Sequence, residues 1–174
     1  QSAALLDLVD VDRVVLSRAQ KAAFTYLSGE LFRQLGEENL SIKLWESLAE
    51  SGDDYFRTKS IFALTQLLYQ NEEIATDTAI ERLEQLRYAW RGDDLETQIL
   101  YRLGNLYIEN NEPVQGLSLL RQAASNSADQ TVVDQITAQM TQSFADIFLT
   151  DRLNDISPIE AVTLYEEFNE LVPA

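Results

Sequence analysis

Carboxylates are the main reactive groups of this chain. Its 174 residues include 29 Asp and Glu but no His and no Cys. Thiol nucleophiles, His-dependent triads and general bases, disulfides, iron–sulfur clusters and the usual zinc sites are therefore excluded. Two carboxylates alone could still serve as acid and base in glycoside hydrolysis. With so many acids some pair falls at any chosen separation, and helical glycosidases need a far longer chain to close a cleft. The expectation is a non-catalytic protein with no cofactor and no metal. Asp151, Asn154 and Asp155 lack the spacing of an EF-hand loop. Glu160, Glu166, Glu167 and Glu170 crowd the last helical stretch, and Glu166 with Glu170 is a like-charge i, i+4 pair. From Gln122 onward nine acids face one base, Arg152, so this end carries a charge of −8. It could draw a basic partner or weakly hold a divalent cation; more simply, it keeps a helix solvated. Arg87, Tyr88, Trp90 and Arg91 are the one local basic and aromatic cluster. They could stack a base or a Pro-rich peptide. The simpler reading packs an aromatic ring between helices while the arginines offset a helix C-terminus.

The elements that must position these groups are helical. The chain is 45% hydrophobic and 24% charged, which suits one globular domain over residues 1–174. Its net charge of −16 repels nucleic-acid phosphates and an anionic membrane surface. No apolar run approaches the roughly 18 to 20 residues that span a bilayer, and no basic segment followed by an apolar one opens the chain. No membrane insertion and no nucleic acid are expected. A Cys-free chain fits either a reducing cytoplasm, the favoured compartment, or a periplasm. Beginning at Gln1 and stopping at Ala174 just after a helical pattern, it has the look of a piece of a longer protein.

With three Pro and six Gly as punctuation, apolar residues recur at spacings of three and four. Ser17 and Gln20 form a capping box for a first helix to Leu35, whose expected inner stripe is Phe24, Leu27 and Leu31; Gly36 ends it. Leu40, Leu44, Trp45 and Leu48 mark a second helix, stopping near Gly52, and Ile61, Leu64 and Leu68 a third. Ile80, Leu83 and Leu86 follow, stopping at Gly92; Asp93 with Glu96 caps a helix bearing Leu100, Leu103 and Tyr107. Pro113 opens a helix with Leu117, Leu120 and Ala123, and another carries Val133, Ile136, Met140, Phe144 and Phe148. Ser157, Pro158 and Glu160 open the last, with Ala161, Leu164, Tyr165 and Phe168. Ala3 to Leu8 suggests a short ninth helix, and Val9 to Leu16 fits no one type. No room is left for a sheet.

Taken in pairs, the helices show a repeated logic: a small residue mid-way along the first, another near the start of the second. From Thr97 to Gln130, the residues Leu100, Leu103, Gly104, Tyr107, Gly116, Leu120 and Ala123 fall at the spacings of the tetratricopeptide (TPR) repeat, which this segment resembles. Ala128 stands where the family expects Pro. Looser versions are Phe24, Leu27, Ser28 and Leu31 before Ser41, Trp45 and Leu48; Ile61, Leu64, Thr65 and Leu68 before Ala79, Leu83 and Leu86; and Phe144, Ala145 and Phe148 before Ala161, Tyr165 and Phe168. The small residues Ser28, Thr65, Gly104 and Ala145 are 37, 39 and 41 positions apart. The expected hairpins are about 17–52, 54–91, 93–127 and 130–172; an irregular helical bundle is the alternative.

The resemblance implies an all-α chain whose hairpins stack into a right-handed TPR-like superhelix. Its concave face, lined by the first helix of each hairpin, would grip a peptide or helix of another protein. Carried over by spacing, the face-lining positions are Lys59, Phe62, Gln66 and Tyr69, then Gln98, Tyr101, Asn105 and Glu109. One subset of the family holds a C-terminal carboxylate with Lys and Asn; Asn105 matches, but the lysines are missing, since the chain has only three. Amides and phenols at these positions suit a peptide backbone. The function so implied is a protein-interaction scaffold. The alternative is a spacer or self-association module contacting through its ends, because the final helix shows Val162, Leu164, Tyr165, Phe168 and Leu171 over a wide arc.

Overall fold

In the computed structural model of the chain, the described residues are 16–51 and 53–172. The Ala3 to Leu8 helix, all but Leu16 of the Val9 to Leu16 stretch, and the Gly52 stop lie outside them. The described residues are all-α: α1 (Arg18–Gln34), α2 (Glu38–Ser51), α3 (Asp54–Gln70), α4 (Thr76–Ala89), α5 (Asp94–Glu109), α6 (Pro113–Asn126), α7 (Gln130–Leu149) and α8 (Pro158–Phe168), with 3-10 turns at Asp151–Asp155 and Asn169–Leu171. Among them no strand occurs, and no helix is long and apolar enough to cross a membrane.

Local chemistry sets the helix starts. Ser17 accepts from the Gln20 amide while the Gln20 side chain answers the Ser17 amide, and Ser157 with Glu160 repeats this box at α8. Each such cap satisfies amides that have no partner inside the helix, for about 1 kcal/mol. Asp93 caps α5 through Leu95 and Glu96, and Pro113 sits in the first turn of α6, where its missing N–H costs nothing. Gly36 and Gly92 adopt φ of 77° and 101° after α1 and α4, a region closed to most side chains.

The chain forms two compact units, divided between Leu67 and Leu68 within α3. In the first, Ala22, Tyr26, Trp45, Leu48, Ala63, Leu64 and Leu67 make one core. Fully buried Trp45 lies against bare Gly29, stacks at 6.1 Å on the Tyr26 ring and donates its indole N–H to the Tyr26 carbonyl at 3.3 Å. Ser41 Oγ donates to the Gly29 carbonyl at 2.8 Å.

This corrects the register of α1. The expected inner stripe of Phe24, Leu27 and Leu31 is exposed, with Leu27 64% accessible, and the buried row is Ala22, Tyr26, Gly29 and Phe32. The helix carries two apolar rows, and the row with the glycine turns inward because only there can α2 approach closely. Ser28 is therefore not the close-approach residue; its hydroxyl donates to the Phe24 carbonyl of its own helix. The corrected pair, Gly29 and Ser41, is 12 residues apart, as are Gly104 and Gly116.

In the second unit α4, α5, α6 and α7 each pack on their chain neighbour, and α8 packs on α6. At the α5–α6 crossing a Cβ on Gly104 would stand 2.8 Å from the Gly116 carbonyl oxygen, and one on Gly116 would stand 2.6 Å from that of Gly104. The two backbones touch there. Leu100, Leu103, Leu117, Leu120 and Ala123 fill the space around this point with no exposure. Arg152, the one base near the acidic end, donates to the Ile108 carbonyl at 2.7 Å, satisfying a C-terminal carbonyl of α5. Arg121 lies 4.2 Å over the Phe168 ring and bonds the Glu167 carbonyl and the Glu170 carboxylate, both at 2.7 Å. Arg121→Ala should lower the melting temperature by several degrees, since a cation on an aromatic face and two charged hydrogen bonds together contribute about 1–3 kcal/mol. An unchanged thermal denaturation curve would show that α8 does not depend on this arginine.

Candidate protein-interaction surface

α5 has two sides of different character. Its apolar spacing turns Leu95, Ile99, Leu100, Leu103, Gly104 and Leu106 into the unit core, while Gln98, Tyr101 and Glu109 remain exposed and Asn105 half-buried. Gln98, Tyr101 and Asn105 follow one another at i, i+3 and i+7, one row of a helix. Asn105 donates to the Tyr101 carbonyl at 2.9 Å, so part of its amide is already used within the helix. The Gln98 amide and the Tyr101 phenol point away from the core and can serve a peptide backbone.

At the other end of this row, Tyr69 donates its hydroxyl to Glu109 Oε2 at 2.9 Å. Arg102 lies 5.2 Å above the Tyr69 ring, with Nη1 3.9 Å from Glu109 Oε1. The sequence reading named Tyr69 and Glu109 but missed Arg102. Its signal was a base seven residues before Glu109, two turns along the same helix. A cleft of about 550 Å³ opens beside the trio, lined by Tyr69, Gln70, Glu72, Ile74, Ala75, Thr76 and Arg102.

The remaining expected positions belong to the first unit. Lys59 places its ammonium 4.8 Å from the Tyr26 ring centre and 5.5 Å from that of Tyr55, so its cation is held by aromatic faces. Gln66 is half-buried. Phe62 is corrected: at 6% exposure it is a core residue and offers nothing to a partner. The cause is α3 itself, where Thr58, Ser60, Phe62, Ala63, Leu64, Thr65 and Leu67 are all buried. A helix enclosed around most of its circumference has no free groove side at that point.

Several members of the other clusters make structural bonds. Trp90 donates its indole N–H to the Asp93 carboxylate at 2.9 Å, and Arg87 pairs with Glu84 at 3.2 Å, leaving Tyr88 projecting into solvent. Glu160 is held below the usual carboxylate range by its hydrogen bonds from the Ser157 amide and hydroxyl. Tyr107 donates to Glu84 at 3.1 Å, and burial, with the Glu84 charge beside it, pushes its phenol up from 10.0 to about 12. Its folded value lies above its unfolded one, so its contribution is complete below pH 10.0 and is lost as pH rises through about 12. The stability difference between the parent and Tyr107→Phe should therefore shrink across that window. A difference that stays constant to pH 12 would contradict this bond.

Two apolar rows face outward, on α1 and on α8. One is the Phe24, Leu27, Leu31 and Leu35 row at α1, and the other comprises Ile159, Val162 and Tyr165 on α8, with Leu149 also exposed. Scattered exposed apolar residues are ordinary, whereas these follow one line along each helix.

The architecture thus defines an all-α protein with glycine-closed helix crossings and exposed helix faces. No family model and no curated protein sequence matches the chain.

Proposed function

We propose that the chain is a TPR-like helical-repeat protein that acts as a non-catalytic interaction scaffold, receiving an extended peptide of another protein along α5. The repeat reading rests on the shared spacing of Gly29 with Ser41 and of Gly104 with Gly116, each at a close helix crossing. The observation carrying the function is the outward row of Gln98 and Tyr101 on a helix whose opposite side is fully packed. A rigid platform with exposed amide and phenol groups loses little entropy on binding.

The test compares parent and a Gln98→Ala/Tyr101→Ala variant in capture and titration of a partner. Binding should fall at least about tenfold, a loss of about 1.4 kcal/mol, when measured well below the melting temperature, which Tyr101→Ala lowers somewhat because only 37% of that residue is exposed. Equal affinity removes α5 as the binding face.

A second reading, self-association through the C-terminal helix, is favoured by Ile159 and Val162, which stand 79% and 58% exposed.

A further inference from the structure

The apolar rows on α1 and α8 have opposite electrostatic surroundings. α1 carries Arg18, Lys21 and Arg33 against Glu30, a balance of +2. α8 with the turn after it carries Glu160, Glu166, Glu167 and Glu170 and no base of its own; Arg121 of α6 pairs with Glu170, which leaves a balance of −3. On α8, Glu166 continues the line of Ile159 and Val162, at i+7 and i+4. On α1, Lys21 stands one turn before Phe24, at the edge of the apolar row. Each row is apolar and exposed, and each is marked by a charge the other would neutralise.

We propose that the α1 face of one copy of this chain docks on the α8 face of a second copy, head to tail. This rests on the self-association reading above and adds a polarity to it. Pairing α8 with α8 would bring Glu166 and Glu167 onto their own kind, and pairing α1 with α1 would oppose like bases; such juxtapositions oppose association. With a net charge of −16 two copies repel at long range, so contact requires a locally complementary patch. The α1–α8 pairing supplies it: Phe24, Leu27 and Leu31 meet Ile159 and Val162, with Lys21 toward Glu166. A contact between unlike faces leaves one of each unused, so assembly continues beyond a dimer unless it closes into a ring.

The experiment uses two variants of the full chain, analysed by light scattering and sedimentation velocity. Leu27→Glu/Leu31→Glu blocks the α1 face, and Ile159→Glu/Val162→Glu blocks the α8 face. The parent should rise above 19.7 kDa with concentration, while each variant alone stays at that mass. Mixed in equal amounts, the variants should form a 1:1 species at twice 19.7 kDa, because one retains α8 and the other α1. If either variant melts lower than the parent, Gln at the same positions replaces Glu. Self-association persisting in the α1-blocked variant would overturn the polarity and leave α8–α8 pairing. A mixture that stays monomeric overturns the head-to-tail contact. A parent that is monomeric at every concentration overturns self-association itself, and assigns both faces to other segments of the chain or to other proteins.

Discussion

Gly104→Leu is expected to lower the melting temperature by about 6–12 °C, the shift for about 3 kcal/mol in a domain of this size. On an exposed helix, replacing glycine stabilises by up to about 1 kcal/mol, because the bare residue has the lower helix propensity. At the α5–α6 crossing the sign reverses. Even the first added carbon meets the Gly116 carbonyl oxygen at 2.8 Å and Leu120 Cγ at 2.9 Å. Backbone cannot yield as a side chain can, so the helices must separate and the leucines around them lose contact. Overpacking of this kind costs about 1–3 kcal/mol and sometimes more. Gly104→Ala should fall between parent and Leu. Gly36, by contrast, has no atom within 4 Å of its added carbon and is held only by its φ of 77°, so its substitution strains a turn without parting any helices. Melting followed by circular dichroism across the three variants checks the ranking. A Gly104→Leu protein as stable as the parent would show that the helices do not cross there.

Trp45→Ala should cost about 3–5 kcal/mol, the usual loss for a fully buried aromatic side chain. The indole fills the space that Gly29 leaves, stacks on Tyr26 and satisfies the Tyr26 carbonyl. These roles are separable. Trp45→Phe retains a ring and gives up the hydrogen bond, for about 1 kcal/mol plus a smaller cavity. The contact with Gly29 can be measured directly by a double-mutant cycle. A Cβ there would run into the indole nitrogen, so Gly29→Ala is destabilising in the parent. In the Trp45→Ala background the same change should cost little, because the clashing ring is gone. Equal costs in both backgrounds would mean that the two residues do not touch.

Sequence conveyed most where the physics is local. The caps at Ser17, Asp93 and Ser157 and the first-turn Pro113 depend on neighbours within a few residues and stand as expected, except that Glu96 accepts from the Gly92 amide instead of completing a box with Asp93. The α5–α6 crossing was also foreseen, because its two small residues are glycines with no competing row. In α1 two apolar rows of similar strength alternate, and periodicity alone cannot say which one α2 covers. The deciding signal was the spacing of 12 from Gly29 to Ser41, identical to that from Gly104 to Gly116. Anchoring on Phe24, Leu27 and Leu31 instead put the small residue one position early. Phe62 failed for a related reason: a position carried over by spacing takes exposure from the family's average groove, whereas α3 is enclosed. The roles of Arg121 and Arg152 were out of reach, because each reaches a partner 44 to 49 residues away in the sequence. Long flexible cations find such partners only once the helices have packed. The placing of Gln98 and Tyr101 on the exposed side of α5 was legible, because a polar row opposite a strong apolar stripe follows from the helical period itself.

The most direct test of the scaffold is a photo-crosslinking amino acid placed in turn at Gln98, Tyr101 and, as a control on another helix, exposed Glu81. After irradiation in a lysate of the source cells, crosslinked products are identified by mass spectrometry. The account predicts that the same protein is trapped from positions 98 and 101, that Glu81 does not trap it, and that unlabelled parent competes it away. Equal trapping from all three positions, or none from 98 and 101, would contradict α5 as a binding face.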